Sequence, residues 1–245
     1  SGVAQFITNR GLHELKEWLE GGYDVIQDWD KQYSDWFAVP KSIKTTSVKP
    51  SGTVSLLAGA TPGLHYPESR FYIRRIRLSK HSELIEPMKK SGYKIEPAFG
   101  SEDTTMVVEV PVDVGEGIRT AGELSIWEQF SLAAFMQRHW ADNQVSCTVT
   151  FNPETEGEQI PNVLNYFQYH LKGISLLPRH DWGAYPQMPY EAIDEKEYNK
   201  QTKKLGKLSF GVIKNEEAEI DKFCNNDSCE VPSLTGDNDD QDYAN

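Results

Sequence analysis

Val145-Ser146-Cys147-Thr148-Val149-Thr150-Phe151, closed by Asn152-Pro153, is the stretch whose reading decides the fold class. Val145, Cys147, Val149 and Phe151 alternate with Ser146, Thr148 and Thr150, the period of two expected of a strand with one buried face. Upstream, Leu124, Trp127, Phe130, Ala134 and Phe135 recur at helical spacing and predict an amphipathic helix running to about Trp140. Downstream, Ile160-Pro161 opens a second helix carrying Val163, Leu164, Phe167 and Leu171. Gly173-Ile174-Ser175-Leu176-Leu177-Pro178 then reads as a short buried strand. Strands separated by helices pair in parallel through crossovers, so this order predicts an α/β sheet or barrel.

Toward the start, Leu12, Leu15, Trp18 and Leu19 trace a helix, and Gly21-Gly22 is expected to stop it. A further helix is expected from Tyr23 to Trp36, with Ile26, Trp29 and Tyr33 on one side and its aromatic residues in the core. The opening Ser1-Gly2-Val3-Ala4-Gln5-Phe6 has no start signal and reads as a helix cut into. Tyr72 to Leu78 predicts a strand whose Arg74, Arg75 and Arg77 either face a phosphate or a corrinoid or line a solvated edge. Ser82 to Ser91 reads as helical, and Met106 to Val112 as a strand ended by Pro111 and Asp113.

The 245 residues are 38% hydrophobic and 25% charged, enough for one sizeable core. No apolar run approaches a membrane span and no basic-then-apolar leader is present, so a cytoplasmic protein without a membrane partner is the default. A formal charge of −12 argues against a nucleic-acid partner. Most of that charge sits beyond Lys214, where Glu216, Glu217, Glu219, Asp221, Asp227, Glu230, Asp237, Asp239, Asp240 and Asp242 are opposed only by Lys214 and Lys222. The body, residues 1–213, is near balance, and residues 214–245 read as a flexible acidic tail.

Lys49-Pro50-Ser51-Gly52-Thr53-Val54-Ser55 joins a turn former, small hydroxyls and a glycine to an apolar run that enters a helix. Amides at such an entry point at whatever lies in front of them. Ser51, Gly52, Thr53 and Val54 are therefore candidates for a phosphate cradle; an ordinary capped turn is the other reading, since the P-loop pattern is absent. Of the three cysteines, Cys147 falls on the apolar face of its strand and reads as inert core. Cys224 and Cys229 lie in the polar tail, too few for a zinc site. An exposed Cys-x4-Cys suits thiol–disulfide exchange, against the reading of two incidental tail cysteines. His65 lies near the cradle, where one reading has it touch the substrate and the favoured one makes it a satisfied structural histidine.

Several blocks together resemble a known family. Thr46-Ser47-Val48-Lys49-Pro50-Ser51-Gly52-Thr53-Val54-Ser55-Leu56-Leu57-Ala58-Gly59, Thr61-Pro62-Gly63, Tyr72-Ile73-Arg74-Arg75-Ile76-Arg77, Arg138 to Ser146 and Gly183 to Tyr190 resemble the C-terminal portion of adenosylcobalamin-dependent (class II) ribonucleotide reductases. The resemblance runs almost from Ser1 to Val231. It implies the C-terminal part of a ten-stranded α/β barrel over residues 1–213, with the Pro-Ser-Gly-Thr loop holding the phosphates of a ribonucleotide. It also implies that Cys224 and Cys229 re-reduce the active site and are themselves reduced by a thioredoxin-like reductant. The family's radical cysteine lies in an Asn-x-Cys-x-Glu pattern, which this sequence lacks. The resemblance therefore implies that the chain acts with the N-terminal portion of the reductase, binds adenosylcobalamin only within the complete enzyme, and is inactive alone. A class I large subunit would carry a tyrosine pair on the Gly173 to Pro178 strand, which has none. A non-catalytic nucleotide-phosphate-binding module is the reading from another class.

Overall fold

The computed structural model describes residues 1–52, 54–179 and 186–209. Thr53, Cys224, Cys229 and the expected tail 214–245 lie outside the described residues. The first element, α1, spans Val3–Phe37 and is interrupted at Gly11, whose φ of 82° and ψ of 167° are not helical. The expected stop at Gly21-Gly22 does not occur. A glycine pair weakens a helix by about 1 kcal/mol per residue, and tertiary contacts offset that cost. Gly22 lets the Trp140 ring approach, the Tyr23 hydroxyl donates to Asp142 at 2.8 Å, and His139 lies 2.8 Å from Glu20. The helix ends where Ala38 turns left-handed, and Val39 N–H donates to the Ser34 carbonyl.

Residues 38–48 return along α1, held by Asp30 to Ser42 and by Gln27 to Thr45. After the short α2, Val54–Leu57, the chain forms β1 (Phe71–Ser79), α3 (Ile85–Lys90), β2 (Lys94–Pro97) and β3 (Thr105–Asp113). Next come α4 (Ile126–His139), β4 (Thr148–Phe151), α5 (Pro153–Glu156), α6 (Ile160–Phe167), β5 (Ser175–Pro178), β6 (Tyr190–Ala192) and α7 (Glu195–Thr202). The helix α4 starts where the spacing predicts, at a capping box: Ser125 Oγ accepts from Glu128 N–H while Glu128 accepts from Ser125 N–H. Asn152 caps α5, with Pro153 at the first helical position.

Among the described residues two sheets form, making a mixed α/β fold. β4 and β5 pair in parallel across α5 and α6, as the strand–helix–strand order predicts, with Val149 opposite Leu176. A parallel bridge between Val48 and Val145 extends the same layer. The larger sheet corrects the expectation of parallel pairing throughout. Its order is β2-β3-β1-β6, and every pair is antiparallel, with Arg75 opposite Glu109. β3 runs through Pro111 rather than ending there. β2 pairs with β3 only as far as Glu109, so Pro111 meets a strand on the β1 side alone. β5 is also less buried than expected, with Leu177 about half exposed.

The core lies around α4. One side of α4 packs Leu132, Ala133 and Met136 against Val3, Leu15, Val48, Val145 and Cys147. Phe130 and Ile126 pack against Val149, Phe151, Val163 and Phe167. A third cluster, Leu78, Met88 and Val108, fastens α3 to the antiparallel sheet. The aromatics of the second half of α1 are not core, contrary to expectation. Trp29, Tyr33, Trp36 and Phe37 are exposed, because the face of α1 toward the returning chain is taken by Tyr23, Gln27, Asp30 and Ser34.

Candidate functional site

The loop that begins at Ser51 is stitched to the start of α1. Ser51 takes a left-handed φ of 54°, and its carbonyl accepts Ser55 N–H at 2.9 Å, closing the first turn of α2. Its hydroxyl accepts Gly63 N–H at 2.8 Å and lies 2.7 Å from Ser1 Oγ. Gly63 is required on two grounds: its φ is +49°, and a Cβ would come within 2.7 Å of the Lys49 carbonyl oxygen. Thr61 N–H donates to Gln5 Oε1, and Gly2 N–H donates to the Thr61 carbonyl. The result is a folded-back loop with Gly52 buried and Val54 exposed. Ser55 is fully buried, and among the described residues its hydroxyl has no partner.

Beside this loop opens a cleft of about 420 Å³, bounded by Pro50, Thr61 and His65 on one side and by residues 146–150 on another. Its wall at β4 is unusual. One edge of β4 pairs with β5, but the other is satisfied by side chains. His65 Nε2 accepts Thr148 N–H at 3.1 Å, which puts the proton of a neutral ring on Nδ1. Gln129 donates to the Thr150 carbonyl at 2.7 Å and accepts Thr150 N–H at 3.0 Å, taking the place of a neighbouring strand. The sequence reading of His65 as structural agrees with this contact.

Burial raises the pKa of Tyr72, Cys147 and Glu68, all of which line the cleft. Tyr72 is pushed up to about 12 by burial and by Tyr190, against the pull of Arg74. Cys147 is pushed up to about 12 by burial alone. It is a thiol rather than a thiolate near neutrality, in keeping with inert core. Glu68 stands at the rim with an exposed flank, yet desolvation raises its pKa while Arg179 opposes the rise. Sequence reasoning missed Glu68, Tyr72, Tyr190 and Gln129. Glu68 and Gln129 lie outside every block quoted for the resemblance, Tyr72 and Tyr190 lie at the ends of such blocks without a role of their own, and long-range folding brings all four to the cleft.

The three arginines of β1 fit neither expectation, because β1 is a central strand. Arg74 and Arg77 are 4% and 7% exposed and donate to the carbonyls of Pro189 and Gln187. Arg75 bridges Glu109 at 2.9 Å, Glu191, and the Met188 carbonyl at 3.1 Å. They clamp the segment leading into β6 onto the sheet. Arg74 also stacks 4.5 Å over the Tyr190 ring, which meets Tyr72 edge-on at 5.5 Å. Among the described residues no three histidine, cysteine or acidic side chains gather as metal ligands.

Comparison with known proteins gives this geometry its family. The chain is 54% identical over 234 residues to the adenosylcobalamin-dependent ribonucleoside-triphosphate reductase of Euglena gracilis, a match covering 94% of the chain and 32% of that protein. It is likewise 54% identical over 237 residues to a probable enzyme of the same description from Dictyostelium discoideum, covering 95% and 31%. It is homologous to part of the class II ribonucleotide reductases. The Levilactobacillus brevis reductase is 42% identical over 187 residues, covering 75% of the chain and 25% of that protein. A crystal structure of a B-12 dependent (class II) ribonucleotide reductase superposes with a TM-score of 0.70 at 37% identity, over 79% of this chain and 27% of that one. No family model matches the chain. The chain spans about a third of the length of the Euglena and Dictyostelium enzymes.

Proposed function

We propose that this chain forms the C-terminal part of an adenosylcobalamin-dependent ribonucleotide reductase, holding the phosphates of a ribonucleoside triphosphate at Ser51, Gly52, Thr53 and Val54. The observation that carries the reading is 54% identity over nearly the whole chain to reductases of that description. The loop supports it: Ser51 and Gly63 bend the chain back on itself, and the cleft alongside is of a size for a nucleoside, near the lower end of the roughly 300–1,000 Å³ usual for small-molecule sites. Burial of Tyr72 and Cys147 as neutral groups suits an uncharged sugar and base beyond the phosphates.

A corrinoid with its nucleotide loop is larger than this cleft, so the described residues do not make a cobalamin pocket. The cofactor belongs to the complete enzyme. The parallel pair β4–β5, with the Val48 bridge on its flank, is in this proposal one arc of a ten-stranded barrel completed by the N-terminal portion. Parallel strands are ordinarily covered on both faces, and the half-exposed Leu177 of β5 awaits such cover. Cys224 and Cys229, in an acidic segment from Lys214 onward, serve as the dithiol that passes electrons from a thioredoxin-like protein in the cytoplasm.

The test is reduction of ribonucleoside triphosphates by the complete reductase, assayed with adenosylcobalamin and either thioredoxin or dithiothreitol. This chain alone is expected to be inactive. Within the complete enzyme, Cys224→Ser and Cys229→Ser are expected to lose turnover driven by thioredoxin and to keep a part of that driven by dithiothreitol. Absence of cobalamin-dependent product from the complete enzyme overturns the reading. Full thioredoxin turnover in both variants removes the relay from it.

A further inference from the structure

The helix α1 carries a second apolar face that none of the described residues covers. Trp18, Val25, Trp29, Tyr33 and Trp36 follow at spacings of seven, four, four and three, which sets them in one stripe along a helix of 3.6 residues per turn. All five are between 46% and 68% exposed. Trp29 stacks on Tyr33 at 5.4 Å, and Tyr33 meets Trp36 edge-on at 5.4 Å, so the rings form one continuous surface. The stripe is not a leftover of the packing seam. That seam runs through Leu15, Leu19, Tyr23, Gln27 and Ser34, on an adjoining face.

Its border is predominantly acidic, with Lys31 the basic residue in the row. The residue immediately before Trp18, Val25, Trp29 and Trp36 is in each case acidic: Glu17, Asp24, Asp28 and Asp35, all exposed. An apolar centre with a one-sided charged rim has the anatomy of a protein interface, and aromatic side chains of this kind carry most of the energy in such contacts.

We propose that this stripe is the surface on which a segment of the reductase outside this chain docks, a segment with apolar anchors and lysine or arginine along one flank. The inference rests on the reading of the chain as part of a reductase. Two observations choose this occupant. About two thirds of the length of the Euglena and Dictyostelium relatives has no counterpart here, so a complete enzyme brings a large additional body to this chain. The acidic row demands a basic complement, which disfavours a second copy bearing the same row and the acidic stretch beyond Lys214.

The test uses the complete reductase, with hydroxyl-radical footprinting of its side chains. Trp29, Tyr33 and Trp36 are expected to oxidise several-fold more slowly than Tyr169, which is exposed on α6's trailing turn. Trp29→Glu/Tyr33→Glu alters only exposed positions; this chain carrying it should keep its circular dichroism and lose affinity for the remainder of the enzyme by roughly a hundredfold or more. Asp28→Lys/Asp35→Lys should weaken assembly less and reduce its salt dependence. Protected rings in an assembly without cobalamin-dependent turnover would leave the docking surface standing and remove the reductase reading. Rings as reactive as Tyr169 in an active enzyme, or a double glutamate variant that assembles like the wild type, overturn the docking surface and leave the activity untouched. Protection that requires only a second copy of this chain overturns it as well.

Discussion

Gln129→Leu isolates the one side chain that stands in for a strand. The amide of Gln129 meets both the carbonyl and the N–H of Thr150, at 2.7 and 3.0 Å, on the edge of β4 that no strand occupies. Leucine keeps the helical position and most of the volume but leaves both backbone groups without a partner. A buried polar group left unsatisfied costs about 1–3 kcal/mol. The adjoining cleft of about 420 Å³ admits water to part of that edge, so the expected loss falls near the lower bound for two groups, about 2 kcal/mol. Urea denaturation of the purified protein, at unchanged m, is the measurement. Gln129→Glu sharpens it. The glutamate keeps the acceptor for Thr150 N–H but, when ionised, turns an oxygen toward the Thr150 carbonyl. Its protonated form restores the donor, so the folded state raises its pKa. The variant's missing stability should then return as pH falls from the raised folded-state pKa to the ordinary carboxylate value, and change no further below it. A leucine variant within about 0.5 kcal/mol of wild type, the scatter of an ordinary surface substitution, would refute the assignment of Gln129 as a strand substitute.

Gly63→Ala should destabilise by about 2 kcal/mol or more, since it combines a left-handed φ with a Cβ 2.7 Å from a backbone oxygen; calorimetry reads the loss, and a neutral result would show that the loop does not need its folded-back form. Gly52→Val should weaken nucleotide binding in the complete enzyme by about 1–3 kcal/mol by crowding the approach of the phosphates, measured by equilibrium binding; unchanged affinity would leave the loop a capped turn. Glu128 is held down to about 2, first by the hydrogen bond from Arg119 and then by Ser125 N–H. A depressed folded-state pKa contributes stability above the ordinary carboxylate value and loses it as pH falls toward 2, so Glu128→Gln should flatten the acid limb of the stability curve, by about 1 kcal/mol for this partly exposed cap. Cys147 should react with a thiol reagent only under denaturing conditions, because burial keeps it protonated; rapid labelling of the native protein would contradict that.

What the sequence by itself determined was local and periodic. The alternation from Val145 to Phe151 located β4, the spacing from Leu124 onward located α4, and Ser125, Asn152 and Pro153 marked where helices begin, because a cap or a side-chain period is decided within a few residues. The separate blocks from Thr46 to Tyr190 also carried the family resemblance without any structure. Tertiary structure decided the rest. Gly21-Gly22 stops nothing, since Trp140, Asp142 and His139 from more than a hundred residues away hold the helix through it. The arginines of β1 are a buried clamp rather than an edge or an anion site, because β3 and β6 close on both sides of their strand. Trp29, Tyr33 and Trp36 looked like core by pattern and lie outside, since a helix can carry two apolar faces and its pattern does not say which one this chain covers. Gln129 at the edge of β4, and the partner of His65 there, were illegible for the same reason. Pairing a side chain with a distant backbone leaves no local signature, and only the folded chain brings the partners within reach.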